Sequence, residues 1–310
     1  MFLSRRKLIA AAATTPLSSM LFVAAAQSKT AVVASFTILA DFAKTVGGDR
    51  ISLTTIVGPD RDAHAYQPTP TDARALAAAR VLIFNGLGFE PWADRLARSS
   101  AFAGHRIVAS EGLAAPLARS EPAAKGHGHG HAHAASDPHV WQDVAGARHQ
   151  VGAIATGLAA ADPANATYYR ERAAAYDRRL ADLDAWIRDQ IATVPAAKRK
   201  VITGHDAFGY FARAHGVAFR APVGLGTDRQ PSARDVAALI RQIRAEGIKA
   251  IFLENMSNPK LIEQIAREAG GVVGPTLHVD ALSPEGGVAP TYEAMMRHNV
   301  PALVAGMRAN

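Results

Sequence analysis

The chain has no cysteine. That absence excludes disulfide scaffolds, thiolate metal sites, thiol nucleophiles and a lipid-bearing N-terminal cysteine. Aromatic residues are scarce, at 6%, and basic residues exceed acidic ones by only 34 to 27. Three of the basic residues, Arg5, Arg6 and Lys7, stand in a leading segment without acids, so the excess of seven falls to four beyond it. The remaining basic residues are spread along the chain with no aromatic-interleaved stripe, which argues against a nucleic-acid partner. Long apolar runs are missing too: nothing after the leader approaches the roughly 20 residues of a membrane span. What is present is an ordinary globular composition, 49% hydrophobic and 20% charged over 310 residues. That length predicts one large or two ordinary domains.

Residues 1–26 read as an export signal. A basic start leads into a mildly apolar stretch and then into Ala24, Ala25 and Ala26, which form a small-residue cleavage site. Ser4-Arg5-Arg6-Lys7-Leu8-Ile9 is similar to a twin-arginine signal, but Leu8 stands where Phe is favoured, so the export route stays open. An uncleaved membrane anchor is the alternative. Thr14, Thr15, Pro16, Ser18 and Ser19 interrupt the apolar run and count against it. The expected product is a periplasmic protein cut near Ala26.

Short β-branched or apolar runs at 31–36, 51–57, 81–84 and 106–109 alternate with helical patterns at 38–46 and 71–79. A second set of runs, at 200–203, 217–221, 250–253 and 272–277, alternates with helical patterns at 232–246 and 259–269. Strands alternating with helices predict parallel sheets covered by helices, and two sets predict two α/β lobes. Between the sets Tyr169, Ala173, Tyr176, Leu180, Leu183, Ile187 and Ile191 recur at steps of four and three. Asp162 as N-cap and Pro163 at the first position open that pattern, and Pro195 closes it. The spacing predicts a linking helix over 162–194, a rod of roughly 45 Å. The expected organisation is a signal at 1–26, a first lobe at 27–161, the helix, and a second lobe at 195–310.

Residues 119–136 alternate Gly, Ala and His with nothing to bury, which predicts a loop. Its segment 126–133 carries His127, His129, His131 and His133 at every second position, a set of weak metal sites able to capture ions loosely. Sharper signals stand next to predicted strands. His64 lies in GPDRDAHAYQPTP, His139 in DPHVW, His205 in TGHDAF and Asp280 in HVDALS. All four fall at or near carboxyl ends of strands, where open α/β sheets bind ligands. Three imidazoles and one carboxylate make a four-donor N/O set that suits tetrahedral zinc. A manganese site would contain more oxygen donors.

The blocks GPDRDAHAYQPTPTD, SDPHVWQDV, TGHDAFGYFARAHGV, IFLENMSNPKLIEQIAREAG and LHVDALSPEGG occur in this order. They resemble the successive blocks of the metal-binding substrate-binding proteins of ABC importers (cluster A-I, the ZnuA-, AztC- and TroA-like group), and most of all its zinc-uptake members. The likeness runs from Ala31 to about Met307. It implies two Rossmann-like α/β lobes joined by one long backbone helix, with metal in the cleft between them. It also implies that His64, His139, His205 and Asp280 are the ligands. Manganese members usually carry a carboxylate at the third position, so His205 favours Zn²⁺. The implied function is high-affinity periplasmic zinc binding and delivery to an inner-membrane ABC permease, by a monomer that catalyses no reaction and is open to loading by a periplasmic zinc chaperone.

Glu254, at the end of a strand, is expected to hydrogen-bond a ligand rather than to be one. Asp206 and His278 neighbour ligands but point to the other face of their strands. Trp141, Phe208 and Tyr66 are candidates to shield the site from water. Three competing readings stand beside zinc import. One is import of Mn²⁺ or Fe²⁺. Another is a zinc hydrolase with Glu254 as general base. The third is an adhesin or metal buffer.

Overall fold

The computed structural model describes residues 28–114, 116–118, 136–227 and 231–310. The export signal and His127, His129, His131 and His133 lie outside the described residues. Among the described residues no helix is long and apolar enough to cross a membrane.

The first lobe runs β1 (Thr30–Phe36), α1 (Thr37–Gly47), β2 (Ile51–Val57), α2 (Pro70–Ala77), β3 (Val81–Phe84), α3 (Ala93–Ser99) and β4 (His105–Val108). Two helices follow, α4 (Val144–Ala161) and α5 (Ala166–Ala192). The second lobe comprises β5 (Lys200–Ile202), α6 (Gly209–His215), β6 (Ala218–Arg220), α7 (Ala233–Glu246), β7 (Ala250–Ile251), α8 (Lys260–Ala269), β8 (Val272–Val273) and α9 (Tyr292–Arg308). Each lobe holds a four-stranded sheet, ordered β2-β1-β3-β4 in the first and β6-β5-β7-β8 in the second. Every strand pair is parallel. The two lobes therefore repeat one topology.

Burial follows strand position. Inner β1 (TAVVASF) and β3 (VLIF) are almost wholly buried, as parallel strands covered on both faces must be. The outer strand β2 is exposed at alternate positions. Helix α2 starts on a capping box: Thr69 accepts from the Asp72 backbone N–H while Asp72 accepts from that of Thr69. Thr69→Ala is expected to cost about 1 kcal/mol, measured by denaturant unfolding.

The long helix begins later than its sequence suggests. Residues Pro163–Asn165 form a 3-10 turn, and the α-helix starts at Ala166. Asp162 is not its N-cap. The Asp162 carboxylate instead accepts from Thr30 Oγ1 at 3.1 Å, Asn165 Nδ2 at 2.8 Å and Tyr169 Oη at 2.7 Å. These bonds tie the start of β1 to the first turn of α5. The seven residues of the apolar pattern are the ones α5 buries. They pack against α1 and α4 of the first lobe and α9 of the second. Its 27 residues span about 40 Å.

One apolar core therefore passes through both lobes, from Phe36, Phe42 and Trp141 through Tyr176 and Leu180 to Tyr292 and Leu303. A second cluster, separate from it, lies beneath α7 and α8 and contains Ile202, Leu239, Ile243, Ile251, Ile262 and Ile265. Buried hydrogen bonds close the seam between lobes. Trp141 Nε1 and Gln142 Nε2 donate to the Val279 carbonyl at 2.9 and 3.0 Å. Tyr292 Oη donates to the Trp141 carbonyl at 2.7 Å, and the Leu282 N–H to Thr37 Oγ1 at 2.9 Å.

Candidate metal centre

The segment after β2 delivers His64, whose backbone N–H donates to Asp62 at 2.8 Å. The same device recurs at His139, whose N–H donates to Asp137 at 2.9 Å. In both, an aspartate two residues ahead closes an Asx turn and presents the histidine beyond it. His205 follows β5 and Asp280 follows β8. Glu254, just past β7, accepts from the N–H groups of Gly204 at 2.7 Å and His205 at 3.1 Å. The approach is too close for a side chain at 204: a Cβ there would stand 2.8 Å from Glu254 Oε2.

These placements bring four side chains together. One ligand atom from each of His64, His139, His205 and Asp280 lies within 4.8 Å of every other, and all four residues are buried. His139 Nε2 stands 3.2 Å from His64 Nε2 and 3.3 Å from His205 Nε2. Asp280 Oδ2 stands 3.1 Å from His205 Nε2 and 3.3 Å from His64 Nε2, and Asp280 Oδ1 stands 3.7 Å from His139 Nε2. Neither Asp280 oxygen has an aligned hydrogen-bond donor, although both are buried. The atoms converge on a common centre rather than on one another. Ligands about 2.0–2.1 Å from one zinc ion at tetrahedral angles stand roughly 3.3 Å apart, so these spacings fit a single ion.

Two of the histidines are aimed by carboxylates. His139 Nδ1 is 2.8 Å from Asp137 Oδ1, and His205 Nδ1 is 2.7 Å from Glu254 Oε2. A proton on Nδ1 shared with a carboxylate leaves Nε2 to face a metal. Asp137 escaped the sequence reading, although the Asp-x-His pattern shared by 62–64 and 137–139 marks it. Glu254 is hydrogen-bonded to His205. Its oxygens also accept from two backbone N–H groups and from Ser257 Oγ at 3.1 Å, so it is occupied as an acceptor and poorly placed as a general base.

Electrostatics divide the set. Burial lowers the His64 imidazole below its ordinary value despite the attraction of Asp280. Burial also pulls His205 down, but Glu254 and Asp280 together carry it well above the ordinary histidine value. Burial would raise Asp280, yet His205 and His139 hold it well below the carboxylate range.

Of the three aromatic candidates, Trp141 has a ring contact with a site histidine, its centroid 5.5 Å from that of His139. Tyr66 packs on Trp92 and Phe208 on Phe219. Phe89, not singled out in the sequence, does the shielding, with its ring 4.4 Å from His64 and 5.9 Å from His139. His278 is buried against His298, with Nδ1 3.8 Å from Asp60 Oδ1. Asp206 is half-buried, and its backbone N–H donates to the Val223 carbonyl.

Comparison with known proteins places this architecture. Residues 32–306 match the family described as "Zinc-uptake complex component A periplasmic". The zinc-binding protein TroA of Treponema pallidum is 32% identical over 289 residues, covering 92% of this chain and 91% of that one. The manganese-binding lipoprotein MntA of Halalkalibacterium halodurans is 30% identical over 276 residues, covering 89% and 88%. The iron-binding protein YfeA of Yersinia pestis is 29% identical over 275 residues, covering 89% and 85%. The solved structure of the periplasmic zinc-binding protein TroA superposes with a TM-score of 0.81 at 30% identity, covering 90% of this chain and 99% of that one. The chain thus belongs to the zinc-uptake complex component A family, the substrate-binding proteins of metal ABC transporters, and is a transport protein rather than an enzyme.

Proposed function

We propose that the protein binds Zn²⁺ in the periplasm, through His64, His139, His205 and Asp280, and delivers it to the permease of an ABC importer. The observation that carries this reading is the convergence of three buried histidines and a buried carboxylate, with ligand atoms all within 4.8 Å of one another and neighbouring pairs as close as 3.1–3.3 Å. Relatives are named for zinc, manganese and iron, so their names do not choose the cargo. The donor set supports zinc: three nitrogens and one carboxylate oxygen suit it, whereas manganese favours more oxygen. The leader at 1–26 supports export, and the lack of cysteine favours a soluble carrier over a lipid-anchored one. His127, His129, His131 and His133 add weak sites that collect metal near the protein.

Competitive titration tests this reading. The metal-stripped mature protein should bind one tight equivalent of Zn²⁺ in the presence of excess Mn²⁺, and deletion of residues 126–133 should leave that equivalent in place. Because His205 is carried well above the ordinary histidine value, zinc has to displace its proton. Affinity is therefore expected to rise with pH from 6 through 8, with proton release on binding seen by calorimetry in buffers of different ionisation heat. Tight Mn²⁺ binding that zinc cannot displace would make the protein a manganese carrier.

A further inference from the structure

A buried polar network underlies the first-lobe half of the site without supplying a ligand to it. Its centre is Asn85, fully buried at the end of β3. Asn85 Nδ2 donates to the Pro138 carbonyl at 2.9 Å, on the peptide immediately before His139. Asn85 Oδ1 accepts from Gln150 Nε2 at 2.7 Å, and the Asn85 carbonyl accepts from Ser110 Oγ at 2.6 Å. The second member is Glu90, also buried. Its carboxylate accepts from Ser35 Oγ at 2.6 Å, the Asn85 N–H at 2.8 Å and the Gly86 N–H at 3.3 Å.

Between these residues the backbone takes a costly path. Gly86, Leu87 and Gly88 all have positive φ, at 86°, 53° and 79°. Leu87 is not a residue that adopts this conformation freely. A Cβ at 86 would meet Val108 Cγ1 at 2.6 Å. The turn is therefore held by its surroundings, and the oxygens of Glu90 accept from the N–H groups of Asn85, just ahead of it, and Gly86, its first residue. Its product is the placement of Phe89, fully buried and set against both His64 and His139.

We propose that Asn85 and Glu90 are positioning residues for the metal site: they fix the turn that seats Phe89 on His64 and His139, and they anchor the peptide that carries His139. His64 needs this support because it stands in an irregular segment outside any helix or strand. An imidazole free to change rotamer loses that freedom when metal binds, and a ring already caged does not. The network therefore preorganises two of the four ligands. This inference rests on the reading of the four-residue cluster as a metal site.

Three near-isosteric or apolar variants test it. Asn85→Asp replaces the donor facing the Pro138 carbonyl with an acceptor. Glu90→Gln replaces one acceptor of the turn with a donor. Phe89→Leu removes the flat ring and leaves the network intact, which keeps the test alive should either polar variant fold poorly. Zinc affinity and dissociation rate are measured by chelator competition and chelator chase. Imidazole nitrogen resonances of the zinc form are recorded by NMR. The expected result is about tenfold weaker zinc binding for each variant, carried by faster dissociation. Broadened His64 and His139 signals should accompany it beside a sharp His205.

The control is Ile187→Ala in α5, a helix that gives no side chain to the site. It should lower the melting temperature and leave zinc affinity within about twofold. Affinities within twofold of the unmodified protein in all three variants would overturn the proposal. So would losses that follow melting temperature in the same proportion as Ile187→Ala. His139→Ala separates this failure from that of the underlying reading. If it retains tight zinc, the metal site itself is misplaced and the positioning role falls with it; if it loses zinc while the three variants do not, only the positioning role falls.

Discussion

His205→Ala is expected to weaken zinc binding by several hundredfold. Closed four-ligand zinc sites contribute roughly 10–16 kcal/mol in all, so one ligand of four is worth about 3–4 kcal/mol, or a factor of about 10²–10³. His205 is the residue to remove because it works in two directions. Its Nε2 faces Asp280 at 3.1 Å and its Nδ1 meets Glu254 at 2.7 Å. The variant strips Asp280 of a partner that holds its carboxyl low, and it leaves Glu254 with its backbone and Ser257 donors. Chelator competition on the two proteins side by side measures the ratio. An unchanged affinity would remove His205 from the site. His205→Glu offers an independent check, since a second carboxylate should narrow the gap between Zn²⁺ and Mn²⁺.

Saturating zinc should raise the melting temperature by roughly 10 °C. A ligand at a thousandfold excess over its dissociation constant stabilises the folded state by about 4 kcal/mol, and each kcal/mol is worth about 2–4 °C in a chain of this size. The effect should reach the whole molecule because the cluster draws on both lobes. His64 and His139 come from the first, His205 and Asp280 from the second. Unfolding either lobe destroys the site. Scanning calorimetry with zinc, and again after chelation, gives the shift. A shift below about 2 °C with zinc demonstrably bound would mean that the ion sits on one lobe alone.

Much of this was legible in the sequence where local pattern and tertiary burden agree. The apolar stripe of α5 is readable because one face of a long helix packs while the other meets water. Inner strands such as Val81–Phe84 announce themselves as continuous apolar runs. Other features were hidden, the short helices α3 and α6 among them. Helix α4, VAGARHQVGAIATGLAAA, is rich in Ala and Gly and buried around much of its circumference, so no sharp stripe forms. Helix α9 carries Pro301 in its interior, which reads as a break. The last strand shrinks from the expected 272–277 to Val272–Val273; Gly274 and Pro275 follow, and Leu277 keeps only an isolated bridge to Glu254. Within the site, residue types and the order of the sequence blocks marked the four converging side chains, although His139 stands ahead of α4 and far from the end of β4 rather than at a strand end. Phe89 was invisible because its role depends on a left-handed turn and on two histidines brought from elsewhere in the chain.

The second apolar cluster has a dynamic meaning. Helices α7 and α8 close over their own layer of isoleucine and leucine, apart from the core that α5 runs through. The molecule has one deep cooperative unit and one shallower leaf. Amides of α7 and α8 are expected to exchange faster than those of α5, a difference that native-state hydrogen exchange measures. Glu254, the carboxylate that aims His205, stands in the connection between α7 and α8, just past β7. One wall of the cluster thus borders the part of the protein that breathes first, while His139 and Asp280 stay fastened to the part that breathes last.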